Sequence, residues 1–530
     1  MHDASPLAWN PSKRMNFARD CIGRLAGERG CDRALLWIDD AGRIEDLSFA
    51  ELDMRGARAA AVLSAAGVRR GDTVLILLAR ELEWWELMLG CLRLGAVASP
   101  GTVQLTAKDI AYRRVAADAA CIVAGGGVAE RVDAALAGDS VARLHIGGPR
   151  LGWGDYGALA AAATPFAGHA DTAFDDPVLC YFTSGTTGNP KMTIHGAGYP
   201  FAHEITGRYW LDLGPGDLMW NLSDTGWAKA AWSSLFAPWM MGAAIFAYHA
   251  EGFDPAAVLD LLGRYPVTTL CAPPTAYRMF VRSQPGERRF PMLRRCVSAG
   301  EPLNPEVIDL WREGTGLPIH DGYGQTETVM LCCNRAGAER QGAMGKPPPG
   351  IDLAVIGADG DRLGAGIEGD VALRVSEGSP PGLFLEYRDD PERTASVFRN
   401  GWYLTGDRAL VDEDGFLWFV GRADDVILSA GYRIGPFEVE SALFEHPAVA
   451  ESAVVASPDP LRGEVVKAFV VLTPSHAPSD ALAAELQAHV KAITAPYKYP
   501  RRIEFVDALP KTVSGKIKRK ELRECEFAAQ

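Results

Sequence analysis

The sequence predicts an α/β protein: a large N-terminal domain of doubly wound α/β sheets with a small β subdomain, then a small α+β C-terminal domain. Three observations predict it. Short β-branched or aliphatic runs alternate with amphipathic helical patterns over the first two thirds of the chain, as parallel strands with crossover helices require. From about Gly350 the runs shorten and are separated by Gly and Asp turns. At 530 residues the chain is also too long for one ordinary core.

Taken in order, residues 73–78 (TVLILL) read as a buried strand before a helix over 81–94, and 120–124 as a strand before a helix over 128–136. Residues 268–271 form a strand that Pro273-Pro274 ends before a helical pattern at 277–281, and 295–298 lead into a helix at 306–311. The most apolar stretch, 235–248, contains Pro238, is too short to span a membrane, and reads as buried core. In the β-rich part, Val355-Ile356 precedes the turn Ala358-Asp359-Gly360, and Asp414-Gly415 between apolar positions of 411–420 is a hairpin signal. Residues 421–425 read as a polar connection to a last unit of about a hundred residues. The boundary is placed at Asp424, dividing the chain into residues 1–423, with a β-rich subdomain over about 350–423, and residues 424–530.

Composition narrows the function. A content of 48% hydrophobic and 23% charged residues is that of a globular protein, and the net charge of −14 excludes a nucleic-acid or anionic-membrane surface as partner. Ten cysteines without C-x-x-C spacing predict reduced thiols and no structural zinc. The first twenty residues lack the apolar core of a secretory signal, so a cytoplasmic protein is expected.

The most informative stretch is 181–195, YFTSGTTGNPKMTIH. An apolar run breaks into Thr183, Ser184, Gly185, Thr186, Thr187 and Gly188, followed by Lys191. Hydroxyl donors, glycines that let backbone N–H groups approach an anion, and an ammonium together suit a polyphosphate. The spacing is not that of a Walker loop. Three further blocks follow: His320-Asp321-Gly322-Tyr323-Gly324-Gln325-Thr326-Glu327-Thr328; Tyr403-Leu404-Thr405-Gly406-Asp407 with Gly421-Arg422-Ala423-Asp424-Asp425 and Ala430-Gly431-Tyr432-Arg433; and Pro510-Lys511-Thr512-Val513-Ser514-Gly515-Lys516-Ile517.

In this order, over residues 16–522, the four blocks resemble the acyl-adenylate-forming superfamily of acyl-CoA synthetases, firefly luciferases and peptide-synthetase adenylation domains. Asp224-Thr225-Gly226-Trp227, residues 431–440 (GYRIGPFEVE), 457–472 (SPDPLRGEVVKAFVVL) and 494–501 (TAPYKYPR) are most similar to medium-chain acyl-CoA synthetases.

The resemblance implies ATP, Mg²⁺ and coenzyme A as cosubstrates and cofactor, and a carboxylic acid as substrate. Residues 183–191 would wrap the β- and γ-phosphates, Thr326 would bond the α-phosphate, and Glu327 would hold Mg²⁺. Gly300, Glu301, Pro302, Asp321, Gly322, Tyr323, Gly324 and Gln325 would form the adenine slot and its surroundings, and Asp407 with Arg422 would take the ribose. Lys516, on a glycine-flanked loop, would place its ammonium between the carboxylate and the α-phosphate, worth roughly 3–4 kcal/mol in the transition state. Its neighbours Lys511, Lys518 and Lys520 read as solvated.

The C-terminal domain would swing about a hinge at Asp424, bringing Gly431 to a pantetheine tunnel, with Gln104, Ala430, Tyr432, Arg462, Lys491, Tyr499 and Arg501 on CoA. Trp227, Trp232, Gly324 and Arg433 would line the acyl side, with Gly324 leaving space for a medium-length, branched or aromatic acid. The alternatives are an adenylating enzyme that loads a carrier protein and, from another class, an ATP phosphohydrolase. A homodimer is left open.

Overall fold

The computed structural model describes residues 14–183, 190–375, 380–429, 432–460, 462–511 and 516–528. Two eight-stranded, mostly parallel sheets make up the larger part. One runs in the order Ile44–Ser48, Arg33–Asp39, Ala244–His249, Leu218–Asn221, Thr269–Cys271, Arg295–Ala299, Ile319–Gly324, Met330–Cys333. The other runs Glu386–Tyr387, Lys191–Gly196, Pro177–Thr183, Val97–Pro100, Thr73–Leu77, Ala119–Gly125, Ala142–Ile146, Gly154–Asp155. A smaller antiparallel sheet holds Leu353–Ile356, Gly369–Arg374, Trp402–Val411, Phe398–Arg399 and Leu417–Arg422. A fourth joins Ile427–Ser429, Tyr432–Ile434, Val449–Asp459, Gly463–Leu472 and Arg502–Phe505 over its own apolar core of Ile427, Val439, Leu443, Val454, Val466 and Leu486.

The elements follow from local chemistry. Every residue of Thr73–Leu77 is buried, as a parallel strand covered on both faces demands. The helix expected over 81–94 spans Glu83–Leu94 and ends at Gly95, whose φ of 71° is the left-handed conformation that glycine adopts at little cost. Phe49–Ala65 starts in a capping box, with the Ser48 hydroxyl accepting from the Glu51 N–H and the Glu51 carboxylate accepting from the Ser48 N–H. The run 235–248 is mostly core: Pro238 sits in the first turn of the helix Ala237–Met240, and a turn at Met241-Gly242 leads to the strand Ala244–His249.

The hairpin signal at Asp414-Gly415 joins Trp402–Val411 to Leu417–Arg422, and this second strand continues through Gly421 and Arg422. Part of the segment read as a connection is therefore sheet, because Asp407 and Arg422 pair across it. All ten cysteines are unbridged, and among the described residues no helix is long and apolar enough to cross a membrane.

The loop Asp224-Thr225-Gly226 locks one large sheet against the other. The Thr225 hydroxyl lies 2.7 Å from the carbonyls of Leu78 and Ala79, and a Cβ at Gly226 would meet the Thr102 nitrogen at 2.1 Å and the Gly101 carbonyl carbon at 2.5 Å. Backbone cannot step aside as a flexible side chain can. Gly226→Ala is expected to destabilise the fold by about 1–3 kcal/mol, read from a chemical denaturation midpoint. An unchanged midpoint would contradict the close approach.

Candidate active site

Segments distant in sequence meet at a cavity of about 750 Å³. The parallel strands Arg295–Ala299 and Ile319–Gly324 end at the same edge, where ligands bind in open α/β sheets. Gly300, Glu301 and Pro302 follow the first strand; Asp321, Gly322, Tyr323 and Gly324 close the second, and Gln325, Thr326 and Glu327 follow it. All ten line the cavity. Gly300 has φ of +104°, a conformation that L side chains rarely adopt.

From the other sheet come Thr183 and Lys191, paired across adjacent antiparallel strands and both lining the cavity. Ser184, Gly185, Thr186, Thr187 and Gly188 lie outside the described residues, as do Ala430 and Gly431. Lys191 Nζ is 2.6 Å from Glu327 Oε1 and donates to the Tyr387 hydroxyl at 2.8 Å, which itself bonds Glu327 Oε1 at 2.8 Å. Burial alone would raise the Glu327 pKa, but the Lys191 charge and these hydrogen bonds outweigh it and hold the carboxyl below its ordinary value.

The small β sheet contributes Asp407. Its Oδ2 accepts from the Tyr323 hydroxyl at 2.5 Å and from Gln325 Nε2 at 2.7 Å, while Oδ1 faces Arg422 Nη1 at 3.2 Å. Tyr403 donates to Gln325 Oε1 at 3.0 Å, which fixes the amide orientation. Burial raises the Asp407 pKa more than Arg422, Tyr323 and Lys516 lower it.

The fourth wall belongs to the C-terminal segment. Lys511, Lys516 and Arg519 line the same cavity, and the Lys516 charge is felt by both Asp407 and Lys229. Arg519 pairs with Glu440 at 2.6 Å. Asp424 also lines the cavity; its carbonyl accepts from the Arg523 guanidinium, and its carboxylate is 3.8 Å from Arg422 Nε. Lys511 is not merely solvated: it reaches Glu451 at 2.7 Å.

Several expected residues stand elsewhere. Gly324 lines the cavity, but the space that its missing side chain was expected to leave is taken: a Cβ there would lie 2.5 Å from the Trp232 ring and 2.6 Å from the Val329 carbonyl. Glycine at this position admits the buried indole. Trp227 and Arg433 are not among the lining residues, and Arg433 instead faces Glu368 at 3.6 Å. Among the described residues, those expected on CoA do not line the cavity either. Gln104 is exposed after the strand Val97–Pro100, and Tyr432 stacks on Tyr497 with centroids 4.3 Å apart. Lys491 and Arg501 flank Tyr499, while the Arg462 N–H donates to Asp459.

Motif reading missed Tyr387, which sits on a two-residue strand with no motif around it, and Lys229, whose buried ammonium donates to the Ala299 carbonyl at 2.6 Å directly before the Gly300 turn. A lysine inside an apolar helical run is the one signal that could have marked Lys229.

Asp321 is buried, and burial pushes its pKa from 3.8 to about 7 against the opposing pull of the Gly322 N–H and Lys229. Between these two values the folded protein binds more protons than the unfolded chain, so this group's contribution favours folding below pH 3.8 and is lost as pH rises through 7. Asp321→Asn should remove that slope. Urea midpoints at pH 5 and pH 8 should show wild type losing more stability than the variant on going to the higher pH, and a difference that is the same at both pH values would contradict it.

Comparison with known proteins agrees with this architecture. Residues 24–383 match the family model described as AMP-binding enzyme, and residues 438–516 match the AMP-binding enzyme C-terminal domain. The chain is 49% identical over 527 residues to the acyl-coenzyme A synthetase ACSM3, mitochondrial, of Mus musculus, covering 97% of this chain and 90% of that one. An acyl-CoA synthetase of Brucella canis superposes with a TM-score of 0.75 at 37% identity, over 99% of this chain and 96% of that one. The anthranilate CoA ligase AuaEII, solved in complex with anthranoyl-AMP, superposes with a TM-score of 0.89 at 30% identity, over 97% of this chain and 98% of that one. The chain thus belongs to the AMP-binding enzyme family and, within it, to the acyl-coenzyme A synthetases.

Proposed function

We propose that this chain joins a carboxylic acid to ATP as an acyl-adenylate with release of pyrophosphate, then transfers the acyl group to the thiol of coenzyme A with release of AMP. The observation that carries this reading is that Lys516, from the C-terminal segment, lines one cavity with Thr326, Glu327, Asp407 and Arg422. A carboxylate is a poor acyl donor because oxide is a poor leaving group. Attack of a carboxylate oxygen on the α-phosphorus forms the acyl–phosphate bond and breaks the bond to pyrophosphate, leaving AMP as a good leaving group for the thiol. The protein has to hold two anions together and offset the charge that builds on the α-phosphate.

In this reading Thr183 and Lys191 meet the outer phosphates, together with residues 184–188 of the same motif. The Thr326 hydroxyl and the Lys516 ammonium meet the α-phosphate, and Lys516 also meets the attacking carboxylate. Asp407 accepts the ribose hydroxyls, held by Tyr323, Gln325 and Arg422. Gly300, Glu301, Pro302 and Tyr323 flank the base, with Asp321 at its edge.

Among the described residues no group of three or more His, Cys, Asp or Glu is placed to hold a metal ion by itself. A single carboxylate kept ionised by Lys191 does fit Mg²⁺, a hard cation that takes one or two carboxylates and completes its shell with phosphate oxygens and water. Glu327 is the residue that would hold it, and the ion's contribution would be to neutralise phosphate charge.

The boundary and hinge are proposed at Asp424, between residues 1–423 and 424–530. Its exposed carboxylate and the short polar segment around it support a pivot that would withdraw Lys516 and present Tyr432, Arg462, Lys491, Tyr499 and Arg501 to coenzyme A with Gln104. A medium-length, branched or aromatic acid is proposed, supported by the names of the ACSM3 and anthranilate ligase relatives. A cytoplasmic location, supported by ten unbridged cysteines, and a homodimer are further proposals that fractionation and sedimentation decide; the mouse relative is named mitochondrial.

Pyrophosphate and AMP should appear only when an acid is added, in a screen of short, medium, branched and aromatic acids; ADP with phosphate would overturn the reading. Lys516→Ala should lower adenylate formation by a few hundredfold and leave thioester formation from supplied acyl-adenylate near wild type. Equal loss of both half-reactions would remove Lys516 from its role.

A further inference from the structure

We infer that His195 is a positioning residue for adenylate formation: its Nε2–H holds the Thr326 carbonyl and so fixes the turn that presents Thr326 and Glu327 to the cavity. The inference rests on the adenylation reading of that cavity. Lys191 and His195 are four residues apart on the strand Lys191–Gly196, so their side chains leave the same face. Both grip the same turn. Lys191 Nζ takes the Glu327 carboxylate at 2.6 Å, and His195 Nε2 lies 2.8 Å from the Thr326 carbonyl. On the far side the Phe384 N–H donates to the Glu327 carbonyl at 2.7 Å. The turn between Ile319–Gly324 and Met330–Cys333 is closed by bonds of its own, from Gln325 N–H to the Thr328 hydroxyl at 3.0 Å and from Thr328 N–H to the Gln325 carbonyl at 3.2 Å. Those bonds close the turn itself; the grips of Lys191, His195 and Phe384 set where its tip points.

The protonation state follows from the partner. A carbonyl can only accept, so Nε2 carries the hydrogen and Nδ1 carries a lone pair. His195 is fully buried, and Nδ1 has no hydrogen-bond partner. An unsatisfied buried polar atom costs about 1–3 kcal/mol. The ring also packs against Tyr199, with centroids 3.8 Å apart, a contact that phenylalanine would make without that cost. A fold that keeps the more costly ring has a use for its one donor. Thr326 and Glu327 both line the cavity, whereas His195 does not, so it acts through them and not on the substrate.

The experiment compares wild type, His195→Phe and His195→Gln in acid-dependent ATP–pyrophosphate exchange, with hydrogen–deuterium exchange of the peptide containing residues 325–328. Phenylalanine keeps the stack and loses the donor; glutamine can return an amide N–H to the same carbonyl. His195→Phe should lower the kcat of exchange by about ten- to a hundredfold with KM for ATP within about threefold, because a small misplacement of positioned groups costs that much in rate. It should also speed deuterium uptake in residues 325–328. His195→Gln should recover most of both. Thioester formation from supplied acyl-adenylate should change less than exchange does.

Unchanged deuterium uptake in His195→Phe would overturn the inference even if no acid supports exchange by wild type, an outcome that would count against the ligase reading alone. Wild-type exchange rates in His195→Phe, or equal impairment of the Phe and Gln variants, would overturn it as well.

Discussion

A partly buried lysine paired with a buried glutamate at the edge of two sheets is the contact on which the site's geometry depends. Lys191 begins a strand of one eight-stranded sheet, and Glu327 stands on the turn leaving the other. Taking either charge out of water alone would cost several kcal/mol, and removing one partner of such a pair is far more damaging than replacing both. The pair is retained with a third member, Tyr387, whose hydroxyl bonds to both. Once these groups are in contact, the turn 325–328 has its place. Gln325 at its start then reaches Asp407 on the small β sheet, and Asp407 in turn faces Arg422 beside the C-terminal segment. Three sheets are thus tied in sequence through one polar chain.

The same chain explains how a protein of net charge −14 can receive anionic substrates. Lys191, Arg422, Lys511, Lys516 and Arg519 line one cavity, and most have a defined carboxylate opposite: Glu327 for Lys191, Asp407 for Arg422, Glu451 for Lys511, Glu440 for Arg519. Paired cations stay ordered and keep donors aimed inward, which is the preorganisation that stabilises developing phosphate charge without reorganisation during the reaction. Lys516 comes from the C-terminal segment, far along the chain from Lys191. A cation delivered from a separate unit can be withdrawn once the adenylate has formed, as a second step at the same centre requires.

Much of this could be read from the sequence, for identifiable reasons. Parallel strands such as Thr73–Leu77 and Ala119–Gly125 are uninterrupted apolar runs, and Asp414-Gly415 marked its hairpin because local turn chemistry decides it. Thr326, Glu327, Asp407, Arg422 and Lys516 were visible because they sit in contiguous motifs, and the structure gathers all five at one cavity. What stayed hidden was packing between segments far apart in sequence. Tyr387 joins Lys191 across 196 residues from a strand of two residues. The space beside Gly324 looked open from its own neighbourhood, but Trp232, ninety-two positions earlier, fills it. Arg433 was expected at the substrate by its motif, and it instead faces Glu368, 65 positions earlier, at 3.6 Å. His195 closed the most informative motif, yet only the fold reveals what its one donor touches.

The measurement that bears most directly on this account is a double-mutant cycle on Lys191→Met and Glu327→Gln, scored by unfolding free energy and by acid-dependent pyrophosphate exchange. A coupled pair predicts strong non-additivity, with the double variant no less stable than the worse single variant and losing no more exchange than that single does. Stability and activity losses that simply add would mean that the two charges act independently, and the arrangement described for the turn 325–328 would then have no common anchor.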